Sequence, residues 1–171
     1  MSIAGVIRTL TSLQEKGLLG RYAIMGGVAT AVYMTPISTE GIDIIVEVAS
    51  DSEFVSVFRN VGTVAERIVG LHHVIDGTKV QLFPSNTKPI YAEALDKAVV
   101  AQAEPGVQTR VVRREHLIVM LLESFRLKDR FRILELWSGA NEKKVRDLIR
   151  KHDDTQQTLA RRFASLLQSS S

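Results

Sequence analysis

Between Met25 and Asp43 the sequence combines residue types that can bind a phosphate group with one that can bind a cation. Gly26-Gly27 separates the strand-like run RYAIM from the apolar helical run VATAVYM. A glycine pair at a strand-to-helix junction lets a phosphate reach free backbone N–H groups at the start of the helix. The same pair also serves as tight packing at such junctions. Both interpretations stay open on these residues alone.

Asp43 lies on the strand-like run IDIIVEV. Side chains alternate between the two faces of a strand, so Asp43, Ile45 and Glu47 share one face, whereas Ile42, Ile44, Val46 and Val48 form an apolar face that helices must cover. Gly41 stands two residues before Asp43 and would share its face. Positions 41 and 43 therefore offer one carboxylate, where a metal-using enzyme would want two side by side.

The surrounding pattern predicts an α+β fold with a small mixed sheet. Apolar spacing predicts a first helix over residues 3–13, a helix from the glycine pair to Pro36 and a helix over DSEFVSVFRNVG. Asp76-Gly77 predicts a tight β-hairpin. From residue 114 onward the pattern is helical. We expect an α/β core over residues 1–112 and a C-terminal helical region over residues 113–171, able to pack together as one domain.

Composition favours a globular, cytoplasmic protein without a membrane span. The 171 residues are 45% hydrophobic and 24% charged, and the chain has no cysteine. No apolar run approaches the roughly 20 residues that cross a bilayer. The net charge of +3 is uneven, because residues 1–90 carry 7 Lys/Arg against 8 Asp/Glu and residues 91–171 carry 15 against 11. Most such charges form the solvated faces of amphipathic helices, but the basic second half could also attract phosphate, nucleic acid or an acidic protein.

The run from Gly26-Gly27 through Thr39 to the strand bearing Asp43 resembles the nucleotidyltransferase superfamily with the polymerase-beta-type core. It is most similar to the small bacterial branch related to abortive-infection and toxin–antitoxin proteins. The segment FRLKDRFRIL, with Arg126, Lys128 and Asp129, resembles the R-x-K-D portion of that branch's helical half. The likeness covers roughly residues 20–137.

The resemblance also implies where metal-binding acids should stand, and this chain departs there. In the family, Asp-x-Asp on one strand and a third Asp on its neighbour hold two divalent ions. Here Gly41 takes the first position, Asp43 the second and Gln81 the third. Leu121 replaces a lysine found in many relatives, and Arg132 replaces a frequent aspartate.

We therefore expect a catalytically impaired nucleotidyltransferase-fold protein, a nucleotide- or anion-binding or regulatory module that requires no cofactor. Its remaining catalytic acid would be Asp43, and a nucleotide triphosphate or another anion would contact residues matching the family motifs: Gly26, Gly27, Thr39, Arg126 and Lys128. We also expect Asp43 and Gln81 on neighbouring strands, and a cationic edge of Arg126, Lys128 and Arg130 near the cleft.

Two alternatives remain. One is an active nucleotidyltransferase using Mg²⁺ or Mn²⁺ at a site rearranged around Asp43, Glu40 and Glu47. The other is a protein-interaction partner in a toxin–antitoxin-like system. Nucleic-acid binding stays uncertain, with basic candidates but no base-reading motif: Arg113, Arg114, Lys143, Lys144, Arg146 and Arg150. The histidines, including adjacent His72 and His73, are expected to be structural or on the surface.

Overall fold

The computed structural model describes residues 2–34 and 39–171. Strands dominate the first part of this described chain and helices the second, which confirms the predicted α+β fold class. The elements are α1 (Ile3–Glu15), β1 (Tyr22–Met25), α2 (Gly26–Thr30), β2 (Gly41–Val46), α3 (Asp51–Gly62), β3 (Arg67–Val69), β4 (His72–Ile75), β5 (Thr78–Pro84), α4 (Pro89–Asp96), β6 (Val99–Glu104), β7 (Val107–Val111), α5 (Arg114–Ser124), α6 (Leu127–Trp137), α7 (Glu142–His152) and α8 (Thr158–Ser169).

The strands form one mixed sheet in the order β3-β4-β5-β2-β1-β7-β6. The central strand β2 runs antiparallel to β1 and parallel to β5. In the β2–β5 register Asp43 stands directly opposite Gln81. Register partners project to the same face of a sheet, so the predicted juxtaposition of these two residues is confirmed.

The hairpin β4–β5 turns at Asp76-Gly77, as predicted. Both residues have positive φ, 49° and 69°, as a two-residue type I′ turn requires. Ile75 pairs with Thr78 across the turn, and the ladder continues to His72 opposite Gln81. The turn therefore fixes which face of the sheet His72 occupies.

The buried side chains form one hydrophobic cluster that draws on both parts of the chain, for example Ile44 of β2 and Leu117 of α5. Helix α5 contacts α2 and α4 of the first part of the chain and α6, α7 and α8 of the second. The predicted boundary at residues 112 and 113 falls between β7 and α5. The division into two domains stays a prediction.

Helix α2 is shorter than the sequence pattern predicted. It ends at Thr30, and the next N–H groups, of Val32 and Tyr33, donate three residues back instead of four, which tightens the chain into a turn. The predicted helix end at Pro36 lies outside the described residues. Among those residues, no helix is long and apolar enough to span a membrane.

Candidate functional site

A cleft of about 740 Å³ opens where β2, β5 and the start of α2 face α5 and α6. It brings together the sequence-predicted site residues from both halves of the chain. Those that line it are Gly26, Gly27, Thr39, Gly41, Asp43, Arg126 and Lys128. Gln81 is not among the lining residues, although it is the strand partner of Asp43.

The glycine pair is needed because other groups approach the backbone closely. Gly26 has a φ of 63°, and a Cβ atom there would lie 2.6 Å from Asp43 Oδ2. A Cβ atom at Gly27 would lie 2.5 Å from Thr39 Cγ2 and 3.4 Å from Arg132 Nη2. The separations of 2.6 and 2.5 Å are shorter than a Cβ atom can adopt unless a neighbouring group shifts. The bare backbone therefore lies between the carboxylate and the guanidinium.

Asp43 is a half-buried carboxylate without a hydrogen bond from the described residues. Burial raises its pKa above the ordinary value, because desolvation disfavours the charged form. The nearby positive side chains of Arg126, Lys128 and Arg132, together with His72, oppose that rise. The carboxylate is thus surrounded by cations but not bonded to them.

The acids needed for a two-ion site do not fit the arrangement at this strand end. A Cβ atom at Gly41 would lie 2.6 Å from the backbone oxygen of Lys79, its partner on β5, so an aspartate at that position would require a strand to shift. Gln81 supplies only a neutral amide. Within residues 2–34 and 39–171, no three His, Asp or Glu residues are placed to hold a metal ion. These side chains do not match a pair of divalent ions, which relies on several carboxylates.

Arg132 was not predicted as a site residue, yet its guanidinium lines the cleft. Its side chain is only 9% exposed, and its Nη1 lies 3.9 Å from Asp129 Oδ1, beyond hydrogen-bond distance. Its buried Nε has no hydrogen-bond partner in the described part of the chain. The signal was its spacing, because Arg132 follows Lys128 by four residues and so lies on the same helical face.

Asp129 pairs with Arg126. The Arg126 Nε donates to Asp129 Oδ2 at 2.8 Å, and the Arg126 backbone N–H and the Ser124 hydroxyl donate to the same oxygen. Burial alone would raise the pKa of Asp129, but these hydrogen bonds lower it below its usual value. The predicted cationic edge was wrong for Arg130. Its guanidinium lies 4.5 Å from the Phe125 ring centroid, and Arg130 is not among the residues that line the cleft.

Three further lining residues were missed. His72, expected to be structural or on the surface, faces the cleft, and counting back from the hairpin turn would have placed it opposite Gln81. Lys79 lines the cleft beside Gly41. Phe131 presents an aromatic ring that is 64% exposed. His73, in contrast, is buried, with its Nε2 3.0 Å from the Phe58 carbonyl oxygen.

The residues of the alternative hypotheses do not all lie in the cleft. Glu40 lines the cleft, but Glu47 accepts two hydrogen bonds from Arg21, at 2.7 and 3.0 Å, and is not a lining residue. Three of the basic candidates on α7, namely Lys143, Arg146 and Arg150, pair with acids of the same helix, as in the pair Lys143–Asp147 at 2.7 Å. The nucleic-acid candidates on α7 are thus largely neutralised locally.

The fold is similar to that of several solved structures. A nucleotidyltransferase-like antigenic protein from Paracoccidioides brasiliensis matches with a TM-score of 0.59 at 14% identity, over 94% of each chain. The antibiotic-resistance factor ANT(2'')-Ia in solution matches with a TM-score of 0.58 at 12% identity, over 98% of this chain and 96% of that one. ANT(2'')-Ia in complex with adenylyl-2''-tobramycin matches with 0.54 at 13% identity, over 85% and 93%.

This chain has a nucleotidyltransferase-like fold. At these identities the likeness concerns the fold alone. No protein-family model matches the chain, and no curated protein sequence matches it significantly.

Proposed function

We propose that the chain binds a nucleotide in the cleft beside Asp43 and acts as a binding or regulatory module that does not transfer nucleotidyl groups. The observation that carries this proposal is the charge of the lining. Among the described residues, four Lys or Arg side chains and two carboxylates, Asp43 and Glu40, line the cleft. A concave site with this balance attracts an anion, and arginine and lysine are the usual protein partners of phosphate.

Phe131 favours a nucleotide over a simple anion. Its ring is largely exposed although it lies on the cleft wall. It lines the same cleft as the cationic side chains of Lys128 and Arg132. Aromatic side chains stack on nucleobases, which have two flat faces. A ligand whose phosphates reach Lys128 and the glycine pair could place its base against this ring.

The metal chemistry argues against transfer. In two-ion phosphoryl transfer, the carboxylates hold ions that stabilise both the attacking and the leaving oxygen. Asp43 is the only carboxylate on the expected strand positions, because Gly41 and Gln81 occupy the other two. The site differs from a two-ion site by more than one missing side chain at Gly41. The backbone oxygen of Lys79 lies so close to Gly41 that an acid does not fit there.

Calorimetric titration with ATP tests the binding proposal. Lys128→Glu should weaken binding by about tenfold or more, because it replaces an attractive charge at the cleft with a repulsive one, and it should make the affinity less dependent on salt. Arg130→Glu is the matched control, on the same helix but outside the cleft, and should change affinity far less. Equal effects of both variants would assign the binding to a general surface charge.

The alternative of an active enzyme retains one supporting observation, the placement of Glu40 in the cleft together with Asp43. Release of pyrophosphate from nucleoside triphosphates with Mg²⁺ or Mn²⁺, abolished by Asp43→Ala, would establish it and overturn the proposed lack of transfer. The toxin–antitoxin-like partner and the cytoplasmic location stay predictions.

A further inference from the structure

The most unusual group in the cleft is the buried guanidinium of Arg132. A charged side chain taken out of water is normally paired and hydrogen-bonded, because burial of an incompletely paired charge costs several kcal/mol. Arg132 is 9% exposed, lies 3.9 Å from its nearest carboxylate, and has a buried Nε without a hydrogen-bond partner among the described residues. The guanidinium is therefore incompletely paired within the described residues.

Asp129 does not supply that acceptor. Both of its oxygens already receive hydrogen bonds from Arg126, and one also receives a bond from the Ser124 hydroxyl. The free end of the guanidinium is instead directed to the glycine turn, since its Nη2 lies 3.4 Å from the position of a Cβ atom at Gly27. Asp43 stands on the other side of the same turn.

We propose that Arg132 takes the place of a divalent cation in this cleft, so that its guanidinium binds the phosphate groups of an oligophosphate directly and the ligand enters without a metal ion. The positive charge sits beside the one remaining carboxylate, where the described side chains do not fit two ions. A guanidinium presents donors that match two phosphate oxygens, and it stays charged at every physiological pH.

The proposal rests on the proposed nucleotide-binding function and adds to it a ligand form and a residue. It makes a specific distinction. If a metal ion carried the phosphates, removing the ion would abolish binding. Because Arg132 is part of the protein, binding should persist in EDTA, and it should be weaker in Mg²⁺ because the ion reduces the negative charge of the ligand.

The test is calorimetric titration of the whole chain with pyrophosphate and with ATP, each in EDTA and in Mg²⁺. Arg132→Gln should weaken binding of both ligands in EDTA by about ten- to hundredfold, the usual effect of removing a charged hydrogen-bond partner. Arg132→Lys keeps the charge but loses the paired N–H donors of the guanidinium. Its affinity should lie between that of the unmodified chain and that of Arg132→Gln. Arg130→Gln is the matched control and should bind like the unmodified protein.

Thermal melting of the same variants shows that a loss of binding is not a loss of fold. We expect Arg132→Met to melt at the same temperature as the unmodified chain or higher, because an incompletely paired charge leaves the interior. This variant keeps the test decisive if Arg132→Gln folds poorly.

The outcomes separate the two proposals. Binding in EDTA that Arg132→Gln weakens and Arg130→Gln does not would support the inference. Binding that needs Mg²⁺ and is unaffected by Arg132→Gln would overturn the inference and leave nucleotide binding in place. No binding of either ligand under either condition would overturn both.

Discussion

Two carboxylates of this protein stand among positive groups, with opposite results. Glu93 of α4 forms an ion pair with Lys151 at 2.8 Å, accepts a hydrogen bond from His152 at 2.9 Å, and lies 3.4 Å from His116 Nε2. Asp43 has several cationic groups around it but no hydrogen bond from the described residues. Burial tends to raise both pKa values, but at Glu93 the hydrogen bonds outweigh burial and lower the pKa to about 2, whereas that of Asp43 remains raised.

The difference separates charges used for folding from charges left for a ligand. Glu93 connects three helices, because its partners lie on α5 and at the end of α7. Its three partners each direct a nitrogen at this one carboxylate. Around Asp43, by contrast, Arg132 and Lys128 point at a cleft and form no hydrogen bond with the carboxylate. Unpaired cations at a concave surface are what an anion-binding site requires.

The largest expected effect is on the stability that the contacts of Glu93 provide. Glu93→Gln should lower the free energy of unfolding by about 2–3 kcal/mol at pH 7, because it leaves buried donors of His116 and His152 without a charged acceptor. Urea denaturation measures this change. Glu135→Gln, an exposed glutamate on α6, is the control and should change little. ATP affinity should not respond to either, and a parallel loss of binding would break the contrast between the two regions.

The dependence of stability on pH should show the same contrast. The folded pKa of Glu93, about 2, lies below its ordinary value of 4.5, so its contribution is complete above pH 4.5 and is lost as the pH falls towards 2. The difference in unfolding free energy between the unmodified chain and Glu93→Gln should therefore shrink across that window. A difference that stays constant from pH 7 to pH 3 would contradict the assignment.

The pKa of Asp43 is shifted in the opposite direction to that of Glu93, and neutralising Asp43 should change stability less than neutralising Glu93. Because its folded pKa is raised, its ionised form costs stability at neutral pH, and this cost disappears as the pH falls. Asp43→Asn should increase stability slightly and raise the affinity for ATP in EDTA by about five- to tenfold, since a negative charge leaves an anion site. A catalytic metal ligand would respond in the other direction, with binding lost in Mg²⁺. The calorimetric comparison in the two buffers decides between them.

Several parts of this site were accessible from sequence for identifiable reasons. Period-two alternation together with the family resemblance predicted Asp43 and Gln81 on neighbouring strands, and the sheet confirms their pairing. The Asp76-Gly77 turn fixed the hairpin register, from which the position of His72 follows. Such features depend on local geometry, which a single sequence specifies well.

Other parts depend on contacts between distant segments and could not be predicted in this way. The closure of the Gly41 position comes from the approach of Lys79 on β5, which no local pattern encodes. Helical spacing puts Lys128 and Arg132 on one face of α6 and Arg130 on another, but which face meets the cleft depends on how α6 packs against α5. Helix α2 stops at Thr30 although VATAVYM continues the apolar spacing, because tertiary context overrides propensity in short helices.

The smallest expected effect tests whether the cleft reads a base as well as phosphates. Phe131→Leu removes the aromatic face but keeps an apolar side chain, and should weaken ATP binding by about three- to tenfold, the lower range for loss of one base stack. Pyrophosphate binding should be unchanged, because it has no base. Leu127→Ala is the control, since Leu127 is 69% exposed on the same helix but does not line the cleft. Equal losses for both ligands would mean that Phe131 supports the position of Arg132, its neighbour in the chain, and the contrast between the regions would then rest on charge alone.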